Sequence, residues 1–386
     1  MLLAIAAVTA LVGVGAGPSG PVAEAAPQSG TLTSSSPVTV VASGLNSPRS
    51  LTWGPRGRLL VAETGSPPVT APSVCNFYSE EITLDMKCFG KTGSISDVSS
   101  GTPKRIVKGL PSALNLQDMI GPNSVSYVDG KLYVLQAGAP QAVPSWLPKD
   151  LKRTLKKQLG ALLDVTDGSP SVVANAGQAD YQWVQDNPDA SPNDLDTANP
   201  YALTPKPGGG FYYVDAASNT LGSIDVRGKR GKARVLTSFP VTSGGKDSVP
   251  TCLDMGPDGA VYVGELTGHG SSATEADVYR YEPWSGRLAV WEKGFSAITG
   301  CGFGANGDFY VTELDTTGFL PTGDPEGVVI QIGKDRTRTV LGAGKLFAPH
   351  GFLAGPDGSI YVANESIWWP PGTTGRWDEG EVVKIG

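Results

Sequence analysis

The sequence predicts an all-β fold, a six-bladed β-propeller closed by an N-terminal strand and carrying one inserted helix. Three observations predict it. A unit of strand, glycine turn and second strand recurs, clearest as Gly256-Pro257-Asp258-Gly259 before Val261-Tyr262-Val263 and as Gly355-Pro356-Asp357-Gly358 before Ile360-Tyr361-Val362. Its turn glycines are Gly57, Gly130, Gly209, Gly259, Gly307 and Gly358; the last four stand 50, 48 and 51 residues apart, the length of one four-stranded blade. A strand from Val38 to Ala42 precedes the first unit, while the sixth unit stops at its third strand. Pairing the two closes the ring and leaves no open sheet edge.

The elements follow in order. Residues 1–25 read as a secretory signal: Leu2 to Ala16 are apolar and small, and Ala23-Glu24-Ala25 suits cleavage. Residues 26–36, with three successive serines, read as a flexible leader before a single propeller over 37–386. Each blade opens with the repeated hairpin, whose turn, Asn-Gly or Asp-Gly in four of the six, needs a residue that tolerates positive φ. Third strands are expected at Gly93–Val98, Gly222–Val226, Val278–Tyr281, Val328–Ile332 and Val382–Ile385. Outer strands are expected at Arg105–Lys108, Ala233–Thr237, Leu288–Trp291 and Thr337–Leu341. Blade two is the least regular, with candidates at Leu162–Val165 and Ser171–Ala174. The spacing of Leu151, Leu155, Leu159 and Leu162 predicts a basic amphipathic helix over residues 149–163. Such a helix covers its own domain or lies on an anionic membrane.

Composition narrows the function classes. Gly (51) and Pro (31) make about a fifth of 386 residues, which favours turns over long helices. A net charge of −7 argues against nucleic acid as the partner. Exported chains permit disulfides. Cys75 and Cys88, thirteen positions apart in one loop, are the expected pair; for Cys252 and Cys301, in equivalent segments of successive repeats, a disulfide and two buried thiols both stay open. The sequence contains no nucleophile elbow, zinc-protease motif, phosphate loop or dinucleotide fingerprint.

The unit Gly-Pro-Asp-Gly-x-Ile/Val-Tyr-Val is similar to the repeats of NHL, gluconolactonase and streptogramin-lyase propellers. Ser43 to Leu51, Asn187-Pro188-Asp189, Asp196-Thr197-Ala198-Asn199-Pro200-Tyr201, Tyr262 to Gly268 and Val278-Tyr279-Arg280 together resemble the ScyD/ScyE family of secreted propellers. That resemblance implies the fold and an extracellular setting. It implies no reaction and transfers no catalytic residue.

The repeat register locates two sets of polar positions. Six residues after each turn glycine stand Glu63, Gln136, Asp215, Glu265, Glu313 and Asn364, all acids or amides. A residue type repeated in every blade suits one scaffold task, the acceptance of backbone hydrogen bonds. Eight residues before the glycines stand Arg49, Tyr201, Thr251, Thr299 and His350, with Asn123 or Ser124 in blade two. These differ from blade to blade, as an asymmetric ligand needs, and are expected at the mouth of the channel with Asn46 and Asn199 beside them. Oxygens of Asp196, Glu265 and Asn199 are candidates for Ca²⁺ or another divalent cation, and His350 is the candidate general base. The acidic segment at Asp186, Asp189, Asp194 and Asp196 lacks the order of a calcium loop. His269, between glycines, is expected to face solvent, and the Trp368-Trp369-Pro370-Pro371 loop is a candidate aromatic surface.

Two functions compete. The first is a secreted, monomeric scaffold that binds a small molecule or extracellular partner at the channel mouth. The second is a metal-dependent lactonase, hydrolase or lyase that uses His350 or a channel carboxylate as base.

Overall fold

A computed structural model describes residues 36–66, 73–76, 88–114, 119–188, 197–319, 325–367 and 379–386. Short strands rich in Val, Ile, Leu and aromatic residues build six twisted antiparallel sheets, one per repeat. Blade three is typical: Pro200–Pro205, Phe211–Asp215, Thr220–Arg227 and Arg230–Ser238, from the axis outward. Blade one gains a short fifth strand, Met119–Ile120, paired with Lys104–Leu114. The inner strand of each blade packs against those of the blades before and after it, the first against the sixth included, so the sheets form a closed ring.

All six turn glycines have positive φ, from 70° at Gly57 to 95° at Gly209. The hairpins therefore turn where the repeat places them. Closure is as expected: Val38–Leu45 forms the outer strand of blade six, from Val38 opposite Ile385 to Leu45 opposite Gly380. The apolar faces of neighbouring sheets meet in separate cores. Leu60, Ile95, Val134 and Leu163 join blades one and two, and Val362, Val383, Tyr310 and Val329 join five and six. Between blades four and five, Tyr262 meets Trp291, Phe303 and Phe309 with ring centroids 5.0, 5.0 and 5.7 Å apart.

Both disulfides form. Cys75 pairs with Cys88, and Cys252 with Cys301, which links the inner strands of blades four and five. Two such bonds suit an oxidising, extracellular setting.

The helical insertion differs from expectation. Helix α1 spans Lys149–Gln158, not residues 149–163, and Leu162 lies in the third strand of blade two, Ala161–Asp164. Leu159 leaves the helix in an extended conformation and Gly160 has φ +70°. A Cβ at Gly160 would lie 2.7 Å from the Gly138 carbonyl, so the helix stops where two backbones touch. The apolar side of α1, chiefly Leu155, packs with Phe89, Ala113, Ile120 and Leu147 and is not free to meet a membrane. Among the described residues no helix is long and apolar enough to cross one.

A second helix, α2 (Ala176–Asp186), joins blades two and three. Its apolar pattern is weak, and so it escaped the periodicity reading. Its N-cap is Asn175, a residue type the sequence offers for that place, whose side chain accepts the Gln178 N–H at 2.7 Å. Both helices leave strands at the face where the inner strands begin, here called the mouth face.

Candidate functional site

The first ring is scaffold. All six of its side chains are buried. The backbone N–H of Asn46 donates to Glu63 Oε2 at 2.7 Å, Asn199 to Asp215 Oδ1 at 2.8 Å, Ser296 to Glu313 Oε1 at 2.8 Å and Phe347 to Asn364 Oδ1 at 2.8 Å. Each bond ties the end of a second strand to the chain entering the same blade. Gln136 instead donates Nε2 to the Pro111 carbonyl at 2.8 Å.

Glu265 is the exception. It accepts only the Asp277 N–H, at 2.9 Å, and its Oε2 is buried with no partner. Burial, helped by the charges of Asp277 and Glu275, pushes its carboxyl up to about 9. Glu63 occupies the same repeat position under opposite conditions, with Ser94 donating to it at 3.0 Å and Arg105 paired to it at 2.8 Å. In its folded state Glu265 therefore holds its proton at neutral pH. The stability this confers is complete below about pH 4.5 and is lost as pH rises toward 9, at about 1.4 kcal/mol per pH unit. Glu265→Gln removes that slope. The midpoint of the variant's thermal melt, relative to the parent's, is expected to rise steadily from pH 5 to pH 8; a constant difference would count against a protonated Glu265.

The second ring does meet in the channel. Asn123, Ser124, Tyr201, Thr251, Thr299 and His350 line one cavity of about 90 Å³ to which all six blades contribute. Most of their polar atoms are engaged between blades. Thr251 donates to the Ile298 carbonyl at 2.6 Å, and Thr299 to the Pro349 carbonyl at 2.8 Å. The Arg49 guanidinium, fully buried, donates to the Ser366 carbonyl and, at 3.3 Å, to the Met119 carbonyl. Tyr201 Oη lies 2.7 Å from His350 Nε2. Burial, and then the charge of Arg49, hold the His350 imidazole well below its ordinary pKa, so the ring is neutral. His350 Nδ1 and Asn123 Oδ1 are buried and unpartnered. A cavity of this size, with two such groups, suits a few ordered waters. It is far below the several hundred Å³ of a typical small-molecule site.

The candidate cation ligands are only partly described. Asp196 lies outside the described residues, as do Asp189, Asp194, residues 1–35 and the Trp368 to Pro371 loop. The Asn199 side-chain Oδ1 accepts the Gly138 N–H at 3.0 Å, which links blade three to blade two. Asn46 is half-buried at the entry to blade one. Among the described residues no three His, Cys, Asp or Glu side chains form a metal-ligating group. The positive charge at the channel belongs to Arg49. His269 is exposed, as expected, with its ring against Phe319.

Similarity to solved structures is distant. The chain is similar in fold to virginiamycin B lyase from Staphylococcus aureus, with 12% identity, a TM-score of 0.45 and coverage of 91% of this chain and 99% of that one. For a gluconolactonase from Xanthomonas campestris the figures are 8%, 0.48, 90% and 88%. For a protein from Lactobacillus plantarum they are 12%, 0.47, 88% and 88%. No family model and no curated protein matches the chain. No residue role passes to it from these structures.

Two features had no signal in the repeat. Asp180, on α2, is fully buried and accepts the Thr220 hydroxyl at 2.8 Å. Burial and the neighbouring Asp215 charge raise its carboxyl well above the usual range. Asp215 itself takes backbone N–H donors from Asn199, Ala217 and Ser218 and is raised to about 6 by burial. Both carboxyls of the pair are thus raised, Asp180 the more strongly. The second feature is a hollow of about 510 Å³ at the opposite face, lined by Trp53, Phe303, Ala305, Ala354 and Pro356. The Trp53 indole N–H already donates to the Ala354 carbonyl at 2.7 Å.

Proposed function

We propose that this chain is a secreted binding scaffold of the ScyD/ScyE type, which engages its ligand or partner at the loops around the channel mouth and does not turn over a substrate inside the channel. Membership of that family rests on the Asp196 to Tyr201 and Gly264 to Gly268 segments, and secretion on the apolar start of the chain and the two disulfides. One observation carries the binding reading: the second-ring side chains stitch blade to blade around a cavity of about 90 Å³. His350, neutral and engaged by Tyr201, faces a space too small for a sugar lactone.

The test is a thermal melt of the mature protein as purified, after EDTA, and after addition of Ca²⁺, Mn²⁺ or Zn²⁺. All of these curves are expected to coincide. A cation at about 100 times its dissociation constant adds about 2.7 kcal/mol, so a bound stabilising metal would show as a shifted midpoint. Loss with EDTA and rescue by one cation would overturn the scaffold reading in favour of the metal-dependent hydrolase or lyase. Lactones and esters would then be the panel to screen.

A further inference from the structure

The hairpin joining the third and outer strands of blade three carries Arg227, Lys229, Arg230, Lys232 and Arg234 within eight residues, all exposed. The strand register puts four of them on one face. Arg227 stands opposite Arg230, Asp225 opposite Lys232 and Ser223 opposite Arg234. In an antiparallel pair, opposite residues share a face and alternate residues along a strand return to it. The other face, with Ile224, Val226 and Ala233, packs onto blade two. The one acid on the basic face, Asp225, is ion-paired with Lys206. Among the described residues none of the five cations has an ion pair. Like charges directly opposite each other repel. A protein of net charge −7 therefore sets four cations against a single carboxylate, Asp225, on one outer rim.

We propose that this stripe binds a linear anionic polysaccharide. Arg230, Lys232 and Arg234 recur at about 6.8 Å along their strand, a one-dimensional array that matches a chain of repeated carboxylates better than a single anion. Duplex nucleic acid is disfavoured by the overall negative charge. A membrane surface needs apolar groups beside the cations, and none of the large exposed hydrophobic side chains (Val40, Val241, Trp284 and Val290) lies on this hairpin. The choice of a polysaccharide rests on the extracellular setting inferred above. The surface itself is separate from the channel mouth, because the third strand runs from the mouth face to its turn at the far one.

The probe is polygalacturonate, with neutral dextran as control, titrated into the mature disulfide-bonded protein at low salt. Binding to polygalacturonate alone is expected, weakening as salt is raised. The triple variant Arg230→Gln, Lys232→Gln, Arg234→Gln is expected to bind about tenfold more weakly, since exposed ion pairs each contribute little. The conservative variant Arg230→Lys, Arg234→Lys is expected to keep binding, and Lys152→Gln, Lys156→Gln, Lys157→Gln on α1 to leave it unchanged. The melts of these variants should match the parent's. Absence of binding by the parent, equal binding by the first triple variant, or tighter binding to duplex DNA or phosphatidylserine vesicles than to polygalacturonate each overturns the proposal. None of these outcomes touches the channel-mouth reading, which the metal melts test separately.

Discussion

Deleting residues 37–44 is expected to cost about 5 kcal/mol or more and to broaden or abolish the cooperative melt. The strand Val38–Leu45 is the only link in the sheet of blade six supplied by the other end of the chain. It buries Leu45 and Ala42 and partly buries Val38 and Val41 in the cores that blade six shares with its neighbours. Its removal also strips the Gly380–Ile385 strand of its outer partner, leaving a row of unpaired N–H and C=O groups. The truncated protein is thus expected to self-associate as well as to melt early. Differential scanning calorimetry with sedimentation velocity reads both effects. A peptide of sequence 37–45 added in trans is expected to recover part of the stability. An unchanged midpoint would show that the ring does not depend on this closure.

The second large effect is at Arg49. Its guanidinium is fully buried and reaches carbonyls on both sides of its own blade, Met119 at the fifth strand of blade one and Ser366 beyond the second strand of blade six. Arg49→Met keeps most of the volume, removes the charge and leaves those carbonyls without these donors. Stranded buried carbonyls cost about 1–3 kcal/mol each, so a loss of about 3 kcal/mol in urea unfolding is expected. The same change removes the charge that opposes protonation of His350. The imidazole is then expected to titrate part of the way back toward its ordinary value, since burial, the larger cause, remains. An NMR titration of the two histidines separates this from general damage, because exposed His269 serves as the internal reference. Loss of stability with His350 unmoved would mean that Arg49 acts only as a clamp.

Two acids at the same place in the repeat show how far the sequence could be read. The step of six residues from the turn glycine placed Glu63 and Glu265 at equivalent strand ends, both buried, and that much was legible. Their electrostatic surroundings were not. Glu63 has Arg105, from the outer strand of its blade, within 2.8 Å, whereas Glu265 has Asp277 and Glu275 for neighbours. Those partners lie 42 residues from Glu63 and 10 to 12 from Glu265, at distances no repeat register sets. The channel residues divide in the same way. Tyr201 and His350 are 149 residues apart, and the step of eight put both at the axis. That they bond to each other, and that the Thr251 and Thr299 hydroxyls reach into the next blade, depends on rotamers and inter-blade spacing.

By itself the sequence determined the blade count, the turn positions, the closing strand and one disulfide, because these follow from the length of the repeat, glycine at positive φ, the strand missing from the last repeat and short loop closure. The Cys252–Cys301 bond, the end of α1 at Gly160, the raised carboxyls of Asp180 and Glu265 and the one-sided basic stripe were decided by the tertiary structure. Each depends on which side chains from distant strands share a dielectric environment, a backbone contact or a sheet face, and that is settled only when the sheets pack.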